Sequence, residues 1–283
     1  MNKFQSSVIV LILCVFAMSA AAQQPQLVKR TFTKTERFDF GSGGTIAVTG
    51  APNGSVKIVG TKKNEIEITA TVEIQAATEA DLTKLAAISG YITDESPIKT
   101  GIITVGPYNK FGAKKLPKDM PKNLAGLPFR VDYSIAVPHY CDLEIDGGKG
   151  DLSITDVEGS MRINFLESNA KVDVVGGNTT IMIGSGSMDV SFGVHGWRGR
   201  SANLSLASGD MVLRMPTNMS AEVDATVLKT GMIENNLPDL KPRDRKIPFT
   251  DRSIVGKAGV GGAPLKFSVV DGKIKLQSLT TPL

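Results

Sequence analysis

The chain has 283 residues, of which 41% are hydrophobic and 6% aromatic, and a formal net charge of +4. So much apolar material at so low a charge excludes a disordered chain. The mild positive balance with few aromatic residues also excludes a dedicated nucleic-acid surface.

Residues 1–22 read as a secretory signal: Lys3, an apolar run over 8–18, then Ser19-Ala20-Ala21-Ala22, with cleavage expected before Gln23. As a membrane anchor the run is too short, since a span takes ~20 apolar residues. Leu13 ahead of Cys14 lacks the small side chain that lipid attachment requires. The mature chain is therefore expected outside the cytoplasm, in the periplasm, at the cell surface or beyond it, with no membrane span. Export removes Cys14, so Cys141 is the only mature thiol and no intramolecular disulfide is possible.

A polar leader over 23–37 precedes a single domain over 38–283. Phe38 and Phe40 alternate into Gly41-Ser42-Gly43-Gly44; Ile46/Val48, Val56/Ile58, Ile66/Ile68 and Val72/Ile74 follow, with an Asn53-Gly54 turn between the second and third sets. At Thr78 the pattern changes. Thr78-Glu79-Ala80-Asp81 resembles a capping box and opens Leu82, Leu85, Ala86 and Ile88 at helical spacing, predicting one short helix that ends near Gly90. Strand-like pieces at 91–92 and 98–105 lead to an exposed loop over 107–128. It carries Lys110, Lys114, Lys115, Lys118 and Lys122, and its prolines Pro117, Pro121 and Pro128 exclude a helix or a central strand. Residues 78–128 thus form a helix and loop insertion.

Alternation resumes at Phe129 and halts at Pro138, and a repeat fills 140–215. Its apolar pairs are Leu143/Ile145, Leu152/Ile154, Met161/Ile163, Val172/Val174, Ile181/Ile183, Met188/Val190, Leu204/Leu206 and Met211/Leu213. The residues inside the pairs face the opposite way and are polar, apart from Met182 and Val212. Glycine-bearing turns separate the pairs. The expected fold is all-β: a β-solenoid, a β-helix-like ladder of short strands whose coils of roughly 20 to 30 residues bury their apolar faces only by stacking. The same alternation also allows a β-sandwich of hairpins. Beyond Met215, residues 237–252 read as a charged loop and Gly256–Gly262 as a glycine-rich run. Leu265/Phe267/Val269 and Ile274/Leu276 around Asp271-Gly272 form a final hairpin or coil, so that strands close both ends.

The succession Asn53-Gly54-Ser55-Val56, then Val131-Asp132-Tyr133-Ser134-Ile135-Ala136-Val137-Pro138, then the glycine-spaced apolar pairs, and finally Asp271-Gly272-Lys273-Ile274-Lys275-Leu276 resembles the bacterial putative adhesin family, an adhesin-like β-helix domain of unknown function. The resemblance covers residues 38–278. It implies an exported, envelope-associated β-solenoid and supplies no catalytic residues. This chain departs from it in the lysine loop and in the insertion around Trp197.

Chemistry-bearing residues are sparse. His139 and Cys141, two apart on one strand, would share a face, yet no third group orients them as a nucleophilic pair. Two distant histidines and one thiol give no zinc spacing, and no metal or cofactor is expected. Asp146, Asp151, Asp156 and Glu158 are the acids a polysaccharide lyase or hydrolase could use, but aspartate beside glycine is also what turns prefer. His195-Gly196-Trp197-Arg198-Gly199-Arg200 breaks the ladder, and Trp197, Arg198 and Arg200 together with Lys110, Lys114, Lys115 and Lys118 are the candidate ligand contacts. The leading expectation is a non-enzymatic adhesin-like binding or structural module of the cell envelope, meeting polysaccharide or a surface protein. Alternatives are a polysaccharide-acting β-helix enzyme and an envelope-sensing regulatory partner.

Overall fold

The computed structural model describes residues 27–96, 98–107, 122–193 and 197–279; the signal segment and Lys110, Lys114, Lys115, Lys118 and His195 lie outside them. The fold is all-β with one α-helix among the described residues, and its many strands form one large sheet that is not closed. In chain order the elements are β1 (Val28–Asp39), β2 (Thr45–Thr49), β3 (Val56–Thr61), β4 (Glu65–Ala76), α1 (Glu79–Ile88), β5 (Gly90–Glu95), β6 (Lys99–Val105) and β7 (Phe129–Pro138). The ladder follows as β8 (Asp142–Lys149), β9 (Leu152–Thr155), β10 (Met161–Val174), β11 (Gly176–Phe192) and β12 (Arg198–Met215). Last come β13 (Ala221–Thr230), β14 (Ile233–Asn236), β15 (Lys241–Pro242), β16 (Ser253–Ala258), β17 (Ala263–Asp271) and β18 (Ile274–Ser278).

The apolar pairs set this arrangement. In β10 the buried residues are Met161, Ile163 and Phe165, then Ser168, Ala170, Val172 and Val174. The inward parity flips from odd to even across the two exposed residues Leu166 and Glu167. A strand keeps one face inward across such a flip only by turning a corner, and β11 and β12 flip likewise around Gly184 and Ala207. Each long strand therefore serves two rows. Its first half pairs in a row running β6, β2, β8, β10, β11, β12, β17, β13, and its second half in a row running β7, β3, β9, β10, β11, β12, β18, β14; every pairing along both rows is parallel. Consecutive hairpins, as a β-sandwich would need, are absent from this part of the ladder.

Partners in β8, β10 and β11 lie 18 residues apart, as in Leu143↔Met161↔Thr179 and in the cross-strand bond from Arg162 to Glu144. That is shorter than the 20 to 30 expected, because one repeat holds two short strand segments joined by tight corners. At the Trp197 insertion the offset widens to 23, where Asn178 meets Ser201. Inward residues of both rows merge into one core, with Ile46, Ile58, Ile145, Ile163, Ile181, Leu204 and Leu276 fully enclosed. Each contributes ~1.5–3 kcal/mol before chain entropy is counted.

The ends depart from the sequence expectations in two ways. The polar leader expected over 23–37 is strand from Val28 onward, β1 pairing antiparallel with β4 along its whole length. Its charges concealed it: Lys29 pairs with Glu73, Arg30 with Glu79 and Arg37 with Glu67, so the edge strand carries ion pairs where an interior one would carry aliphatic groups. At the other end, β17 and β18 form neither a hairpin nor the terminal rung. They lie between β12 and the strands β13 and β14, with Phe267 flanked by Leu204 on one side and Ala225 on the other. The intervening chain loops outward first: β16 pairs antiparallel with β13 and β15 antiparallel with β16, β16 using Gly256 from the glycine-rich run. Helix α1 starts as expected at Thr78, whose hydroxyl accepts from the Asp81 N–H at 3.1 Å, and it seats Leu82 and Leu85 against β4 and β1.

Candidate functional site

Because all repeats turn at matching positions, each corner becomes a continuous line of side chains running across the strands. The first corner lies between the two halves of each repeat. One line there is Asp146, Asn164, Met182, Ser205 and Ser268; beside it runs Gly148, Leu166, Gly184, Ala207 and Val270, with the inward Phe165, Ile183 and Leu206 forming the floor. Glycine and alanine alternate with larger side chains in the second line and leave a trough. At Gly184 the choice is forced, since a Cβ there would stand 2.5 Å from the Leu166 carbonyl oxygen. The resulting groove holds about 830 Å³ and reaches from Thr49 and Pro52 to Ser268 and Val270. Its walls are mainly aliphatic, and Leu166 and Met182 stand 63% and 49% exposed along it. Exposed aliphatic groups contiguous across several strands mark interaction surfaces, whereas single ones do not.

Polar groups gather at the end of the groove on β8 and β10. Asn164 Nδ2 donates to Asp146 Oδ1 at 2.7 Å, while Asn164 Oδ1 is buried without a hydrogen-bond partner. Charges just outside the groove are paired with one another. Glu144, two residues before Asp146, takes Lys99 at 2.7 Å and Arg162 at 3.0 Å, and the Lys99 ammonium and Arg162 guanidinium together hold its carboxyl below the usual range against the opposing effect of burial. Lys149 and Glu167, which follow Gly148 and Leu166, meet at 2.9 Å.

The second corner, where one repeat passes to the next, has the opposite character. Tyr140 pairs with Glu158, and Gly176 pairs with Arg198. Gly176 supplies no side chain, so Arg198 reaches over it to place Nη1 3.1 and 2.8 Å from the two Glu158 oxygens. That carboxylate, with the Tyr140 hydroxyl in support, raises the Arg198 pKa further. His139 Nδ1 sits 2.6 Å from the Asp156 carbonyl oxygen and its ring meets Tyr140 edge-on. Trp197 packs edge-on against Phe192 with centroids 5.3 Å apart and covers the core where the repeat is widened; Arg200 is exposed nearby on β12. The structure thus brings Trp197 and Arg198 to one corner but aims them at Phe192 and Glu158.

The remaining sequence candidates do not converge. Asp146 is held by Asn164 and Asp151 by Asn169; Asp156 occupies a left-handed turn at φ 58, and Glu158 holds Arg198. No group of three or more metal-ligating side chains occurs among the described residues. His139 and Cys141 do not share a face, because the chain leaves strand geometry between Pro138 and Asp142 and alternation lapses there. Cys141 is instead sealed in the core, and burial, with Asp142 adding to it, pushes its thiol up to about 12, the reverse of an activated thiolate. The first-corner groove was not among the sequence candidates. Its one sequence signal is Met182, an apolar residue in a position that is polar in most repeats.

No helix among the described residues is long and apolar enough to cross a membrane. No family model and no curated protein matches the sequence. Among solved structures, the chain is similar to a putative cell adhesion protein from Clostridium sporogenes, with TM-score 0.46 and 12% identity over 88% of this chain and 100% of the other. A putative adhesin from Bacteroides fragilis follows at TM-score 0.37 and 11% identity, over 88% and 97%. A putative lipid binding protein from Parabacteroides distasonis gives TM-score 0.22 and 7% identity over the same shares.

Proposed function

We propose that the chain is an exported, non-enzymatic, adhesin-like binding module of the cell envelope, built as a β-solenoid, whose ligand lies in the first-corner groove. The observation that carries this reading is an aliphatic trough of about 830 Å³ laid across a parallel ladder, whereas the hollow at the other corner, about 590 Å³, is lined by polar groups such as Lys62, Asn64, His139 and Asp156. A rigid array of parallel strands suits recognition because the groove exists before the ligand arrives and little ordering is left to be done on binding. In this reading Trp197 closes the core at the widened repeat, Arg198 holds Glu158, and neither they nor the exposed Arg200 contact ligand.

The test is retention of fractionated envelope material on the immobilised mature chain, comparing lipid, polysaccharide and purified surface-protein fractions. Ala207→Trp serves as the plug, since Ala207 is exposed on the groove wall and a large side chain there obstructs the trough without entering the core. One fraction is expected to bind the native chain saturably and to be lost with the plug. Equal retention by both proteins, or saturable glycan cleavage abolished by replacing one of the four acids, overturns the reading.

A further inference from the structure

Resting on the groove as the binding surface, we infer that its occupant is the acyl chain of an amine-headed envelope lipid, the head lying at the Asp146 end. Shape comes first. From β2 through β8, β10, β11 and β12 to β17 the groove crosses five strand spacings, roughly 24 Å at ~4.8 Å each, and its central part, over β10, β11 and β12, is floored by Phe165, Ile183 and Leu206. An extended aliphatic chain matches a long, narrow and uniform trough of this kind.

Wall chemistry excludes the main competitor. A sugar chain needs exposed aromatic faces and a series of hydrogen-bonding groups along its path. Here the one aromatic ring on the floor, Phe165, is itself buried, the exposed groups along the middle are Leu166, Met182 and Ala207, and the half-buried hydroxyls of Ser205 and Ser268 are bonded to one another at 3.2 Å. Charge then fixes the direction. The neighbouring charges are spent on one another, Lys99 and Arg162 on Glu144, and Lys149 on Glu167, so a polyanion finds no free cation among them. What remains at the polar end is the half-buried Asp146 carboxylate, one oxygen of which takes Asn164 Nδ2. It accepts and does not donate. A head that meets it must carry N–H donors, which an ammonium supplies and a fatty-acid carboxylate does not.

The probe is lysophosphatidylethanolamine carrying a parinaroyl chain, whose conjugated double bonds fluoresce on leaving water, titrated below its micelle concentration into the mature chain. Native protein is expected to bind it saturably, and palmitoyl lysophosphatidylethanolamine to displace it. Palmitate should compete more weakly, and glycerophosphoethanolamine without a chain, or an oligosaccharide, not at all. Met182→Glu and Ala207→Trp should each weaken binding at least about tenfold with an unchanged melting temperature. Leu166→Glu provides a third groove variant should either fold poorly. Asp146→Asn should weaken the amine-headed probe severalfold and leave palmitate unaffected. Failure of the probe to saturate, or binding unchanged in all three groove variants, overturns the acyl assignment. If the probe fails while Ala207→Trp still abolishes retention of a polysaccharide or surface-protein fraction, the ligand class is wrong and the binding module stands; if the plug alters neither, both fall.

Discussion

The two corners of the ladder are made by the same strands at the same period and yet have opposite characters. At the first, Gly148, Gly184 and Ala207 hollow out an aliphatic groove; at the second, the gap left by Gly176 is bridged at once by Arg198 and Glu158. Core packing demands only that a corner flip the inward parity, and it is indifferent to which small residues do so. Corners are therefore where a repeat of this kind is free to vary, and one left hollow and greasy costs solubility without improving the core. That cost is the physical reason for assigning binding to the first corner and closure to the second.

The comparison breaks most severely if the shared core fails. Ile163→Asp places a carboxylate between Ile145 and Ile181, fully enclosed, and should destabilise the chain by several kcal/mol, with ~2–7 kcal/mol lost for an unpaired buried polar group. An unchanged denaturation midpoint would contradict the stacked columns. Gly184→Val comes next: its added side chain meets the Leu166 carbonyl, and overpacking of this sort costs ~1–3 kcal/mol. It should also abolish groove binding, which separates the first corner from the second.

Glu158→Gln releases Arg198 at the second corner. Because Arg198 is largely solvated, the melting temperature should fall only slightly and groove binding should not change. A loss of binding equal to that of Gly184→Val would erase the distinction between the corners. Cys141 reports on the core that both corners share. Its thiol pKa is raised, so the protonated form is favoured in the folded state; that contribution is complete below the ordinary thiol value and fades as pH rises toward about 12. Iodoacetamide should leave the native chain unmodified in mildly alkaline buffer and label it in step with unfolding. The smallest effect belongs to Glu144, whose carboxyl is held low by Lys99 and Arg162. Its contribution is present above the ordinary carboxylate range and disappears as pH falls through the depressed value, seen as a slight loss of stability in acid that Lys99→Met reduces, Arg162 still holding the carboxylate.

Much of the ladder could be read from the chain, since pairs such as Leu143/Ile145 and Leu152/Ile154 already show the parity flip that a corner requires. The repeat length could not, because alternation reports which residues face inward and not how many strand segments complete one repeat. β1 was hidden by ion pairs that look like a polar leader. The place of β17 and β18 was invisible for another reason: Leu265, Phe267 and Val269 are equally apolar in a terminal and an interior rung, and only their two-sided pairing with Leu204 and Val223 tells them apart. At the site, Met182 carried a signal. Leu166 carried less, because in sequence an exposed leucine beside Glu167 is an ordinary turn residue until Gly184 and Ala207 are set beside it in space.

The insertion of β17 and β18 between β12 and the earlier strands β13 and β14 bears on how the molecule is assembled. A chain that folds from its first residue onward cannot lay down these rungs one after another, for β13 and β14 would reach β12 first and find no seat that lasts. They must wait, unpaired on that side, for a segment that follows them in the chain. Completion of the ladder is therefore a late, collective event that needs nearly the whole chain in hand.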